Sequence, residues 1–298
     1  LDDHYHDCVL IRLILLVWIL YVFSFYRSVY VFSVSINMIV IHEGGLMSIS
    51  TMNFNERSLL FAKLSSIAYS NIKEAKSQVK KLGFTTVEFY EKDGAQAYRF
   101  MNKTDLVIAC RGTEPTEFND ISADLKALPV MAETISRVHQ GFKAEVDELW
   151  PAITEDINRK ANLGKTLWFC GHSLGAAMAT IMASRCMHDV ELNDPVELYT
   201  YGSPRVGWRG YVKSLGVTHH RWKNNNDIVT TVPLWIMGYV HHGTEHYLNA
   251  YGNYRKPTGW QLVKDKWRGI WMGLKQGKID SFGDHSMTEY IKHITRIN

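Results

Sequence analysis

The stretch that most constrains this chain is residues 167–186, LWFCGHSLGAAMATIMASRC. Four apolar residues run into Gly171-His172-Ser173-Leu174-Gly175, and the thirteen residues from Leu174 to Cys186 are dominated by Ala, Met and other small or apolar residues. The first four suit a short buried strand and the last thirteen a helix. Between them lies G-x-S-x-G in a strand–turn–helix setting. So tight a turn holds its serine in a strained backbone conformation, with the hydroxyl projecting from the end of the sheet. Glycines two residues to either side leave room where a Cβ would clash. The amide of Leu174 sits at the helix N-terminus and can donate to a developing oxyanion. The five letters alone recur by chance in about one chain of this length in ten. The flanking strand and helix therefore carry the argument against an incidental serine.

From about residue 53 onward, strands and helices alternate. Residues 53–70 suit a helix, with Leu60, Leu64, Ile67 and Ala68 on one face and Asn55 as a cap ahead of Glu56. Three strand-like runs follow at 85–91, 96–101 and 105–110, joined by Lys92-Asp93-Gly94 and Asn102-Lys103-Thr104 as a meander of hairpins. Residues 142–160 read as a helix with Phe142, Val146, Leu149, Ile153 and Ile157 in phase, and Pro151 is expected to kink or split it. Further strands are expected at 196–201 and 219–224, a hairpin at 239–249 and a last helix at SMTEYIKHITRI. The pattern predicts an α/β fold: a mostly parallel central sheet with helices on both faces. Ligands bind such folds beyond the carboxyl ends of the strands.

A serine hydroxyl is a weak nucleophile at neutral pH and needs a base and a residue to orient that base. After a G-x-S-x-G serine these follow in the order acid, then histidine. Asp189 and Asp194 flank the end of the nucleophile helix, away from the strand tips. Asp227, in NNNDIVTTVP, directly follows the strand 219–224 and is the expected acid. Of the later histidines, His241, His242 and His246 belong to the expected hairpin, and His293 lies within an amphipathic helix as a surface residue. His285, in SFGDHSM just ahead of the last helix, is the expected base. A second oxyanion donor is expected at Thr113, after the strand DLVIAC and the pair Arg111-Gly112, with Asp124 able to hold its hydroxyl.

CRGT (110–113), VHQGF (138–142), GHSLG (171–175), YGSPRVG (201–207), DIVTTVP (227–233) and GDH (283–285) occur in this order. Together they resemble the class 3 lipases, the fungal-type triacylglycerol lipase family with the α/β-hydrolase fold. The resemblance spans residues 105–290. It implies that Ser173, Asp227 and His285 form a catalytic triad and that Thr113 and Leu174 form the oxyanion hole. It implies a lid at about 114–124, cleavage of acylglycerol esters through an acyl-enzyme, a lipid or ester substrate, contact with a membrane or lipid interface, and no cofactor or metal. His139 and Ser203, within VHQGF and YGSPRVG, are structural in that family. Two features depart from the fungal pattern. The lid is short and acidic, with Phe118 and Ile121 as its main large apolar residues, so strong interfacial activation is not expected. The cysteines Cys8, Cys110, Cys170 and Cys186 do not follow the fungal arrangement, which points to a bacterial member.

Composition removes other classes. The formal charge is +3, from 33 basic and 30 acidic residues, too even for a nucleic-acid protein. Four cysteines without a CxxC pair do not build a disulfide scaffold; Cys110 and Cys170 end apolar runs and read as small buried hydrophobes. Residues 1–46 are different material. Fourteen uncharged residues separate Arg12 from Arg27, and fourteen more separate Arg27 from His42. Residues 9–26 reach the lower limit of a membrane span, whereas Asp2, Asp3 and Asp7 fit a secretory signal poorly. The expectation is a membrane anchor or uncleaved export segment if this leader is native, and translated upstream sequence otherwise. Met47 opens the domain 47–298, membrane-anchored or exported in the first case and soluble in the second. Alternatives within the ester hydrolases are a phospholipase or short-chain carboxylesterase. From other classes come a non-catalytic hydrolase-fold binding protein and a zinc peptidase built on His242-Gly-Thr-Glu245-His246, whose ligands would need one helical face.

Overall fold

The computed structural model describes residues 48–112, 128–255 and 283–298. The leader 1–46, Thr113, the lid 114–124 and Cys8 lie outside them. The helices are α1 (Phe54–Ile67), α2 (Ile72–Lys81), α3 (Gln140–Ile157), α4 (Leu174–His188), α5 (Arg209–Ser214) and α6 (Met287–Thr295). A large sheet takes β1 (Thr86–Lys92), β2 (Ala95–Met101), β3 (Asp105–Cys110), β6 (Thr166–His172), β7 (Glu197–Tyr201), β9 (Thr218–Asn224), β11 (Thr244–Leu248) and β12 (Tyr254–Arg255), in that spatial order. The run from β3 to β11 is parallel, and the two edges are antiparallel. A small antiparallel sheet places β10 (Tyr239–Val240), β8 (Gly207–Trp208), β5 (Arg137–His139) and β4 (Pro129–Met131) side by side.

Strand alternation divides the core between the two faces of the large sheet. On β3, Leu106, Ile108 and Cys110 join Phe142, Val146, Leu149, Ile153 and Ile157 of α3 and the apolar run of α4. Val107 and Ala109 point the other way, toward Leu60, Phe61 and Leu64 of α1 and Tyr290 and Ile294 of α6. Each such side chain contributes about 1.5–3 kcal/mol on burial. α4 is buried continuously from Gly175 to Cys186, which explains why its sequence is apolar all round. Cys110, Cys170 and Cys186 are buried free thiols. Among the described residues, no helix is long and apolar enough to cross a membrane.

Several expectations are corrected. Asn53, not Asn55, caps α1: its side chain accepts from the Glu56 amide, and Glu56 accepts from the Asn53 amide. Pro151 does not split α3, which runs through it. Pro151 is exposed, so the carbonyl deprived of its amide partner lies toward water. Residues 239–249 are not a hairpin. β10 pairs with β8 in the small sheet, while β11 pairs in parallel with β9 in the large one. Glu245 and His246 therefore point to opposite faces of a strand, Glu245 to Arg221 and His246 to His220 and Tyr254. The helical face required by an H-x-x-E-H zinc site does not form. α2 was not expected; it buries only Ala75 and Val79.

Candidate active site

Ser173 stands between β6 and α4 with φ 58° and ψ −129°, a conformation sparsely populated for any residue but glycine. The neighbouring glycines are sterically required. A Cβ on Gly171 would lie 2.3 Å from the Gly175 carbonyl oxygen, and one on Gly175 would lie 2.2 Å from that of Cys110. The Ser173 amide donates to the Tyr201 carbonyl at 3.1 Å, tying the turn to the end of the adjacent strand. The Ser173 side chain is buried, and its hydroxyl makes no hydrogen bond among the described residues.

Asp227 and His285 meet across 58 residues. The His285 Nδ1 lies 2.9 Å and 3.0 Å from the two Asp227 carboxylate oxygens. Both side chains are almost wholly buried. A carboxylate only accepts, so Nδ1 carries the proton and Nε2 is left as the basic nitrogen. Asp227 also accepts from the Val229 amide at 3.0 Å and from the Tyr290 hydroxyl at 2.6 Å. These donors compensate a charge taken out of water.

The two loops are laced together. Asn224 Nδ2 donates to the Asp284 carbonyl at 2.9 Å, and Asn225 Nδ2 and the Asn226 amide donate to the Asp284 carboxylate at 2.8 Å and 3.2 Å. The Tyr290 hydroxyl accepts from the Asn224 amide at 3.0 Å while donating to Asp227. His293, expected at the surface, is half-buried and meets Asn224 Oδ1 at 3.1 Å. Gly202 has φ +59°, and a Cβ there would lie 2.7 Å from both Asp227 Oδ2 and the His285 ring. The second glycine-bearing motif, YGSPRVG, thus supplies the space that the Asp–His pair occupies.

His172, one residue before the serine, connects the Ser173 turn to the His285 loop. Its Nε2 donates to the His285 carbonyl at 2.7 Å, so its Nδ1 accepts from the Tyr69 hydroxyl at 2.8 Å. Its ring lies 4.3 Å from that of His285. Burial, and then the neighbouring His285, hold its pKa well below the ordinary imidazole value. A neutral His172 places no positive charge beside the His285 ring. Burial likewise pushes the Tyr290 hydroxyl well above the usual phenol range, with Asp227 adding to it, so Tyr290 stays a donor.

Leu174 opens α4, and its amide has no acceptor within the helix. Gly112, the last described residue before Thr113, abuts the serine: a Cβ on it would lie 3.1 Å from Ser173 Cβ and 2.6 Å from the His172 carbonyl oxygen. His139 and Ser203 do other work. His139 caps α3, and the Ser203 hydroxyl donates to the Pro204 carbonyl. Among the described residues, no three His, Cys, Asp or Glu side chains gather as a metal site.

The family model for lipase (class 3) matches residues 107–237, which carry the elbow, Gly202 and Asp227. Over this stretch, 131 of the 298 residues, the chain is similar to the class 3 lipases. Similar proteins include the toxin TseL of Vibrio cholerae, 27% identical over 215 residues, covering 56% of this chain and 33% of the relative. A lipase of Rhizomucor miehei is 26% identical over 226 residues, covering 69% and 61%. The secreted mono- and diacylglycerol lipase 1 of Fusarium solani is 33% identical over 122 residues, covering 38% and 34%. The matches thus span less than two thirds of each relative's own length. Among solved structures, the Rhizomucor miehei triacylglyceride lipase superposes with TM-score 0.56 at 21% identity, covering 65% of this chain and 79% of that one. A Penicillium cyclopium MDLA variant superposes with TM-score 0.55 at 23% identity, covering 70% and 86%. These likenesses show the α/β-hydrolase fold, in agreement with the parallel sheet flanked by helices.

Proposed function

We propose that this protein is a serine hydrolase of carboxylic esters, a lipase acting on acylglycerols. Ser173 is the nucleophile, His285 the general base and Asp227 the residue that orients it. The observation that carries the reading is the buried Asp227–His285 pair at 2.9 Å, formed beside a serine held at positive φ. The His285 Nε2 takes the hydroxyl proton of Ser173 as the oxygen attacks the ester carbonyl. Asp227 keeps the proton of the resting imidazole on Nδ1 and stabilises the imidazolium once it forms. The amides of Leu174 and Thr113 receive the oxyanion, each donor worth about 3–4 kcal/mol of barrier. Return of the proton to the alkoxide expels the alcohol, and water activated by the same imidazole hydrolyses the acyl-enzyme. His172 acts through the His285 carbonyl and holds the base against the nucleophile turn. Similarity to the class 3 lipases and to a mono- and diacylglycerol lipase supports the acylglycerol substrate.

Turnover of a soluble p-nitrophenyl ester, measured beside fluorophosphonate labelling, tests the assignment. Ser173→Ala should lower kcat by about 10⁶ and abolish labelling. Activity within tenfold of the parent would exclude Ser173 as the nucleophile. An acyl-chain series, soluble against emulsified, tests the substrate class, since confinement to short soluble esters would replace lipase with carboxylesterase.

A further inference from the structure

Among the described residues, thirteen large apolar side chains are exposed, and eight of them fall in two short segments. One holds Leu128, Met131 and Ile135; the other holds Ile228 and the run Leu234–Met237. The small sheet joins them. Leu234–Met237 leads into β10 at one edge, and Leu128 directly precedes β4 at the other. Three strand spacings set these edges about 14 Å apart. Trp235 and Ile236 are 71% and 69% exposed, extreme values for side chains of this kind.

The geometry of the run favours one occupant. Its backbone closes on itself: the Met237 amide donates to the Leu234 carbonyl and the Gly238 amide to that of Trp235, both at 3.0 Å. A turn with its polar groups paired internally can enter an apolar medium. From Ile228 to Gly243 there is no Asp, Glu, Lys or Arg. At the margin, the Arg137 guanidinium lies 4.9 Å over the Trp208 ring, and that ring packs against Gly238. An Arg–Trp pair beside an apolar projection suits the headgroup layer. The segment is also continuous with the catalytic loop, since wholly buried Asp227 is followed at once by exposed Ile228.

We propose that the Leu234–Met237 turn is a fixed docking element, separate from the lid, that seats this protein on a glycerolipid surface. Its use in catalysis rests on the ester-hydrolase reading; the binding itself does not.

The test uses the full chain carrying Ser173→Ala, so that vesicles stay intact, and 100 nm vesicles of phosphatidylcholine with phosphatidylglycerol. Cosedimentation should show binding that Trp235→Asp with Ile236→Asp weakens at least tenfold. In the chain with Ser173 intact, the same pair of changes should leave soluble-ester turnover within twofold, which shows that the variant folds. Independently, a fluorophore such as NBD on Ile236→Cys, in a Cys8→Ser background, should shift to the blue on vesicles. The same label on Val190→Cys, on a fully exposed residue outside the patch, should not. Undiminished binding by the Asp variant, or no shift at position 236, overturns the proposal. So does a parent protein that ignores vesicles and instead dimerises through this face. Failure of soluble-ester turnover in the parent would count against the hydrolase reading alone.

Discussion

Two turns of this molecule each deliver a buried histidine to the start of a helix. His139 enters α3 and His285 immediately precedes α6, each with a side chain about 1% exposed. They differ in what faces Nδ1. At His139 it is the Phe142 amide, a donor that an imidazolium could not accept. At His285 it is the Asp227 carboxylate, which an imidazolium would attract. Burial alone pushes His139 down to about 4 and leaves it an uncharged cap. Burial thus leaves one histidine an uncharged cap, while the other faces a buried carboxylate. The chemistry of the site therefore depends on how Asp227 is held as much as on the histidine itself.

The strongest way to break this comparison is to remove only the charge. Asp227→Asn should lower kcat on a soluble ester by about 10⁴, because an amide no longer enforces the Nδ1–H tautomer. His139→Asn should leave kcat within threefold. Equal, small losses in both would reduce the two histidines to the same structural role. Next comes the space around the pair. Gly202→Ala places a methyl 2.7 Å from Asp227 Oδ2 and the His285 ring, and a loss of about 10² in kcat is expected from displaced reactants. Gly94→Ala is the control: its φ is also positive, at +90°, but nothing lies within 4 Å, so it should lower stability by about 1 kcal/mol without touching the rate. Paired urea titrations and rate measurements separate the two.

A smaller effect sharpens the account of Asp227. Tyr290→Phe removes one of the donors to the buried carboxylate while keeping the ring against Tyr201. A fall of about tenfold in kcat with little change in KM is expected, the size of one lost hydrogen bond to a charged group. An unchanged kcat would mean that the His285 and Val229 contacts suffice.

What could be read in advance follows from whether the signal is local. β3, β6 and β9 are apolar or alternating runs ending at turn residues, and they stand close to where their patterns put them. The elbow is legible for the same reason: Gly171, Ser173 and Gly175 sit within five residues. Asp227 and His285, which the fold brings into hydrogen-bond contact, could be picked from their positions at a strand end and ahead of a helix. The side chains around them could not. His172 meets His285 across 113 residues, and Tyr290 meets Asp227 across 63, so neither contact leaves a local trace. Residues 239–249 show real strand signals, but a pattern does not name its partner, and β10 and β11 join different sheets. α2 escaped because two buried residues in ten make a weak helical stripe.

The smallest expected effect tests the silent member of the pair. The pKa of His139 falls from 6.5 to about 4 because burial disfavours the charged ring. Between those values the unfolded chain binds a proton that the folded chain does not, so stability rises with pH. The penalty is absent above about 6.5, grows as pH falls and levels off below about 4. Between pH 7.5 and 6.0 it amounts to about 0.7 kcal/mol, in a range where exposed carboxylates stay ionised. His139→Asn keeps a short acceptor at the cap of α3 and does not titrate. Urea unfolding at the two pH values should therefore show a smaller drop for the variant than for the parent. The drop should not vanish, since burial lowers His172, His219 and His241 in the same direction. An identical drop in both proteins would mean that the ring at position 139 finds solvent in the folded state, and the contrast with His285 would then rest on the carboxylate alone.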